Sequence, residues 1–172
     1  TWLALMLAVL PSLSLASTSY EFPITDRYDA TVIGTPPDLV AALPETIPAK
    51  VYRIRNLGKM PQVFWYNDAL RFSAAVQDHP APLVFAIAGT GASYNSGKLV
   101  QMQKALFQAG FHVINISSPT QLNFQLSAST SHRPGYTPDD AQDLYRVMQE
   151  AYGLLQDDIE VTGFHIAGYS LG

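Results

Sequence analysis

From residue 83 to residue 170 the chain alternates strand-like and helix-like segments, and no other feature restricts its fold as much. Leu83 to Ala88 (LVFAIA) is an unbroken apolar run, the pattern of a strand covered on both faces. A helix follows over roughly Ser96 to Ala109, with Leu99, Met102, Leu106 and Ala109 at helical spacing and Gly110 as the glycine that ends it. Phe111 to Ile116 (FHVINI) is the next strand, and Ser117 to Tyr136 is a long polar loop. Thr137-Pro138-Asp139-Asp140 marks a helix start, with Thr137 as N-cap, proline at N1 and a carboxylate at N3. Ala141, Leu144, Met148, Ala151 and Leu155 form its apolar stripe. Asp157-Asp158 turns the chain, and the last strand lies within Ile159 to Ala167, with Phe164 to Ala167 as its buried part. This alternation predicts parallel strands joined by right-handed crossovers, with helices on the sheet faces.

Upstream, Val51 to Ile54 (VYRI), Val63 to Tyr66 (VFWY) and Leu70 to Val76 read as strands that extend the same sheet, partly antiparallel. The fold class expected is α/β, with a predominantly parallel central sheet and flanking helices. Residues 17–49 are proline-rich and loosely organised. An edge strand is expected at Ala30 to Ile33, a turn at 34–37, and one or two helical turns from Asp38 to Leu43. Trp2 to Leu10 (WLALMLAVL) is an apolar run broken by Pro11 and followed by Ser14-Leu15-Ala16. That is the pattern of a secretory leader over residues 1–16, cleaved after Ala16. The run is shorter than the roughly 20 residues a spanning helix needs. An exported protein is expected, periplasmic or secreted in a bacterial envelope, with no stable membrane span after cleavage.

Composition removes several classes of function. There is no cysteine, so thiol nucleophiles, thiolate metal sites and disulfides are excluded. The net charge is -4 with no Lys/Arg cluster, which argues against a nucleic-acid surface. No histidine pair has metal-ligand spacing on a helix, so neither a metal nor a cofactor is expected. Gly91 to Lys98 (GASYNSGK) follows a strand as a phosphate loop would. The spacing fails, because Ala92 stands where glycine is needed and Leu99 where Ser or Thr is needed. A dinucleotide fingerprint fails likewise at Tyr94.

The last strand runs straight into Gly168-Tyr169-Ser170-Leu171-Gly172, a G-x-S-x-G sequence. The motif alone is weak, but a buried strand before it is the context a nucleophile elbow requires. Small residues at Gly168 and Gly172 allow the tight turn that lifts a serine Oγ clear of a sheet. Acyl transfer also needs donors for a developing oxyanion. One is the backbone N–H after the nucleophile, here Leu171. The other comes from the loop after an earlier buried strand, and Ala88-Gly89-Thr90-Gly91 occupies that place.

With these residues the chain resembles the N-terminal portion of the α/β-hydrolase fold over about residues 50–172. The matching segments are LVFAIAGTGA, for the third strand and oxyanion loop, and FHIAGYSLG, for the fifth strand and elbow. Related enzymes often carry His-Gly in the oxyanion loop, where this chain has Ala88-Gly89. The resemblance implies Ser170 as nucleophile, the N–H groups of Leu171 and Thr90 as the oxyanion hole, and Gly89, Gly91 and Tyr169 as substrate neighbours. His132, in the long loop on the same rim, is a further candidate for substrate contact. It implies a serine hydrolase acting on an ester, thioester or amide of a small-molecule or lipid-like acyl substrate.

His79, His112 and His165 read as structural, and Asp139 and Asp140 as helix-capping residues. In this fold the acid and histidine follow the serine in sequence. The expectation is therefore a fragment that carries only the serine of a Ser-His-Asp/Glu triad, with an exposed sheet edge and little turnover of its own. The alternative is a non-catalytic envelope binding protein that keeps the fold.

Overall fold

The computed structural model describes residues 24–32, 40–55, 57 and 62–172. The leader at 1–16 and the turn at 34–37 lie outside the described residues. The chain divides into two compact units, Thr1–Ala42 and Leu43–Gly172.

In the first unit Asp29–Val32 forms one helical turn, α1, in place of the expected edge strand. The Asp26 carboxylate accepts the N–H groups of Tyr28 at 2.8 Å and Asp29 at 3.0 Å. That local cap outweighs the strand preference of a short β-branched run. Residues 40–43 are not helical, so the helical turns expected there do not appear among the described residues.

The second unit is an α/β sandwich around one five-stranded mixed sheet. Its strands are β1 (Ala49–Ile54), β2 (Leu70–Ala75), β3 (Ala81–Ile87), β4 (His112–Ile116) and β5 (Val161–Gly168), in the order β1-β2-β4-β3-β5. β3 pairs in parallel with β4 and β5, while β1–β2 and β2–β4 are antiparallel. Four of the five strands thus run in one direction and β2 runs against them, which makes the sheet mixed, with its antiparallel part at the N-terminal strands as expected.

Helix α2 (Gly97–Gln108) joins β3 to β4, and helices α3 (Leu122–Ser127) and α4 (Thr137–Gly153) join β4 to β5. Two apolar layers result. Leu99 packs on Ala86, Ala88 and Val113 beneath α2. On the opposite face Phe124, Val147, Met148 and Ala151 of α3 and α4 pack on Phe72, Leu83, Phe85 and Ile114. Successive crossovers leave β3 and β4 toward opposite faces, which opens a crevice at the carboxyl ends of the strands.

Several elements differ from expectation for identifiable reasons. VFWY is not a strand: Gln62–Phe64 is a 3₁₀ turn, and Val63, Trp65 and Tyr66 are exposed. β1 pairs residue for residue with β2, from Ala49↔Ala75 to Ile54↔Leu70, and the segment between them serves as their connection. The polar loop at 117–136 contains α3, because the Gln121 side chain accepts the N–H groups of Asn123 and Phe124 and Phe124 is fully buried. Helix α4 starts one residue earlier than its capping motif suggested. Tyr136, and not Thr137, is the N-cap, it makes no side-chain cap bond, and Asp140 accepts the Gly135 N–H at 2.9 Å. Its buried face runs through Asp140, Asp143, Val147, Met148 and Ala151, leaving Ala141 exposed. The end of α2 follows the sequence. Gly110 has φ +91, its N–H reaches Phe107 O, and the Phe111 N–H reaches Leu106 O.

β5 is an edge strand, as expected, but Phe164 to Ala167 is not a buried stretch. Phe164 is 58% and Ile166 67% exposed, because among the described residues β3 is the only strand beside β5.

Asp143 ties the end of the 117–136 segment to α4. Its buried carboxylate accepts the Thr130 N–H at 2.8 Å and Oγ1 at 3.1 Å, and pairs with Arg146 at 3.1 Å. Asp143→Ala leaves those donors without their acceptor and is expected to cost about 2 kcal/mol in urea unfolding. An unchanged midpoint would mean that water substitutes fully.

Candidate active site

Three loops converge at the carboxyl edge of the sheet. One follows β3 at Ala88–Ser96, one follows β4 at Ser117–Gln121, and the third is the turn at Tyr169–Gly172 after β5.

The turn is held by the Gly172 N–H, which reaches Tyr169 O at 2.9 Å. Ser170 sits in it with φ +58, in the left-handed region that a Cβ-bearing residue enters at a cost of about 1–2 kcal/mol. Ser170 is exposed, and its Oγ has no hydrogen-bond partner among the described residues. The two motif glycines are fixed by backbone contact. A Cβ on Gly168 would overlap the Gly172 carbonyl group, with its oxygen at 2.6 Å. A Cβ on Gly172 would overlap Ile87 O and lie 2.9 Å from Ala88 O.

Tyr169 covers Gly89. A Cβ on Gly89 would lie 2.9 Å from Tyr169 O and 3.0 Å from Ser170 Cβ, so the first loop and the turn touch at backbone level. The Tyr169 hydroxyl is 3.2 Å from Ser96 Oγ, and Lys98 Nζ lies 5.1 Å above its ring. The ring packs with the α2 layer, so it supports the turn from beneath.

The β4 loop braces the β3 loop through a polar ladder. Gly91 N–H donates to Thr120 Oγ1 at 2.8 Å, Tyr94 N–H to Ser117 Oγ at 2.9 Å, and Ser118 N–H to Ala92 O at 3.0 Å. The Gly91 N–H, with φ +69 at that residue, is therefore occupied. The N–H groups of Thr90 and Leu171 have no hydrogen-bond partner among the described residues. Thr120→Val keeps the shape and removes the acceptor, and is expected to cost about 1 kcal/mol of stability. If Thr90 works from this loop, turnover by the native protein should fall about tenfold as well. A kinetic assay that shows no change would sever the brace from the site.

His132 does not reach Ser170. It has φ +52, its N–H donates to Ser129 Oγ, and its Nδ1 is 3.0 Å from Gln125 O. It lines a cavity of about 460 Å3 with Thr120, Leu122 and Gln125, next to the brace. His112 is buried with both ring nitrogens engaged, accepting from Gln77 N–H and lying 3.1 Å from Glu160 O. His165 meets Phe111 edge-on. His79 sits in the β2–β3 turn, at the other end of the sheet from Ser170. Its hydrogen bond to Asp78, then the Asp78 backbone bond, lowers the Asp78 pKa. Asp139 pairs with Arg133 at 3.3 Å.

Among the described residues no histidine or carboxylate hydrogen-bonds Ser170, and no cluster of three metal-ligating side chains occurs. Nor is any helix there long and apolar enough to cross a membrane. Sequence reasoning missed Thr120 and Ser117, which hold the β3 loop. Their only signal was two hydroxyl residues just past a buried strand.

No protein-family model, curated protein or solved structure matches this chain.

Proposed function

We propose that the chain carries the nucleophile elbow and oxyanion loop of an α/β-hydrolase-type protein. The mixed sheet, the helices on both of its faces and the strand–turn at G-x-S-x-G agree with that fold. More particularly, the protein is an exported serine hydrolase that cleaves an ester, thioester or amide of a small or lipid-like acyl substrate. One observation carries this: Ser170 is held at φ +58 at the rim, beside a glycine loop. A strained, solvent-facing serine between two obligate glycines is costly for a turn and useful for a nucleophile.

In the proposed reaction Ser170 Oγ attacks the acyl carbon. Its proton passes to a histidine base, which an aspartate or glutamate orients. The N–H groups of Thr90 and Leu171 stabilise the oxyanion. The histidine then protonates the leaving group, and water releases the acyl group from Ser170. Among the described residues no histidine or carboxylate hydrogen-bonds Ser170, so the base and the acid are the parts of this scheme without an assigned residue. No cofactor or metal enters this scheme.

The test is fluorophosphonate labelling of the native protein in its host's envelope fraction, followed by mapping of the modified peptide. The expected result is a single adduct on Ser170. A well-expressed, folded protein that takes no label would favour a binding protein built on the same fold.

A further inference from the structure

A small polar pocket of about 190 Å3 opens on the same rim, above the ends of β2 and β4, whereas Ser170 tops β5 at the sheet edge. Arg71 lines it together with Asn67, Ser93, Asn95, Ser117 and Asn123. No Asp or Glu lines it.

The charge arrangement is unbalanced. Arg71 stands directly opposite Arg53 in the β1–β2 ladder. Like charges so placed repel. Neither guanidinium has an ion pair or side-chain hydrogen bond among the described residues, whereas Arg55, Arg133 and Arg146 each have a carboxylate. Arg71 shares its sheet face with Ser73, whose hydroxyl takes a hydrogen bond from Gln103 of α2. It therefore lies on the face over which the 93–95 loop runs. A second donor is left over: Asn67 Nδ2 is buried without an acceptor. Its own Oδ1 is already taken by Asn123 Nδ2 at 2.6 Å. The pocket thus offers a free guanidinium, an unused amide N–H and the Ser117 hydroxyl, whose oxygen accepts the Tyr94 N–H and whose hydrogen is unspent, with no anion of its own.

We propose that this pocket binds the phosphate group of a ligand, with Arg71 as the principal cation and Arg53 at the mouth. A guanidinium fork matches phosphate oxygens in pairs. The volume is below the roughly 300–1,000 Å3 of pockets that enclose whole small molecules, so it accepts a head group. The chain entering the pocket at Asn67 carries exposed Val63, Trp65 and Tyr66. Such a run beside a phosphate site suits a lipid phosphate at an interface as well as a free one. The protein's net charge is -4, so binding of an anion would report this local site and not a general attraction. The pocket shares the braced loops at Ser93 and Ser117, but Thr90, Ser170 and Leu171 do not line it.

Titration calorimetry of the full chain with inorganic phosphate, against sodium chloride at equal ionic strength, tests it. The expected result is saturable binding that Arg71→Gln and the isosteric Asn67→Asp each weaken at least tenfold and Arg53→Gln about threefold. Ser170→Ala should leave it unchanged, which separates this site from failure of the hydrolase proposal. Flotation with phosphatidylcholine vesicles, with and without phosphatidic acid, identifies the source. Arg71-dependent flotation with phosphatidic acid assigns a lipid head group, and phosphate binding without flotation assigns a soluble phosphate. The proposal is overturned if neither probe binds, or if folded Arg71→Gln and Asn67→Asp bind as the parent does.

Discussion

Ser170→Gly is expected to make the protein more stable and catalytically dead. Ser170 holds φ +58, where a Cβ costs about 1–2 kcal/mol and glycine costs nothing. Glycine loses more conformational freedom on folding, roughly 0.5–1 kcal/mol, so the net gain lies between about 0 and 1.5 kcal/mol. Turnover, by contrast, should fall at least about 10³-fold if Ser170 is the nucleophile proposed above. Ser170→Ala should lose the same activity without the gain in stability, because its Cβ keeps the strain. The three proteins compared by urea unfolding and by hydrolysis of a nitrophenyl ester, in the full natural protein, separate two roles. A turn serine predicts that glycine improves stability and leaves function alone. A nucleophile predicts opposite movements of the two quantities. Retained turnover in Ser170→Gly would remove Ser170 from the mechanism.

Gly168→Ala should damage the site from one position that touches no substrate. The added Cβ meets the Gly172 carbonyl group, with its oxygen at 2.6 Å, and both partners are main chain. No rotamer change relieves such a clash, so the turn must open. Gly172 is itself pressed against Ile87 O and Ala88 O, so it cannot retreat toward β3. The expected cost is about 1–3 kcal/mol, the range for overpacking a tight contact. Labelling at Ser170 should fall about 100-fold, because a displacement near 1 Å misplaces a reacting oxygen by that much. Gly163→Ala on the same strand is the control, since a Cβ there meets nothing closer than 3.9 Å. Equal loss in both variants would attribute the effect to β5 as a whole and not to the elbow.

Much of the fold was legible because the relevant signals are local. LVFAIA and FHVINI announced β3 and β4 through continuous apolarity. The glycine at 110 ended α2 where a left-handed residue was needed. The motif around Ser170 announced a turn because only glycine fits at both of its ends. What failed was decided by neighbours. VFWY is apolar enough for a strand, but β1 and β2 pair along their full length and leave it in the connection between them. Ala30 to Val32 has strand composition, yet the Asp26 carboxylate caps a helical turn there. The mixed sense of the sheet depends on β2 entering between β1 and β4, and no residue of β2 encodes which strands flank it.

The site divides in the same way. The sequence determined the strand before Ser170, the glycines around it and the glycine loop after β3, since each is a requirement of the residue on its own backbone. Only the tertiary structure decided which N–H groups in that loop are open. Thr120 takes the one at Gly91, 29 positions away in sequence, and the one at Thr90 is left without a partner. It also set Arg71 against Arg53 and left Asn67 Nδ2 unpaired, because cross-strand register is fixed by packing of the whole sheet and not by either strand alone.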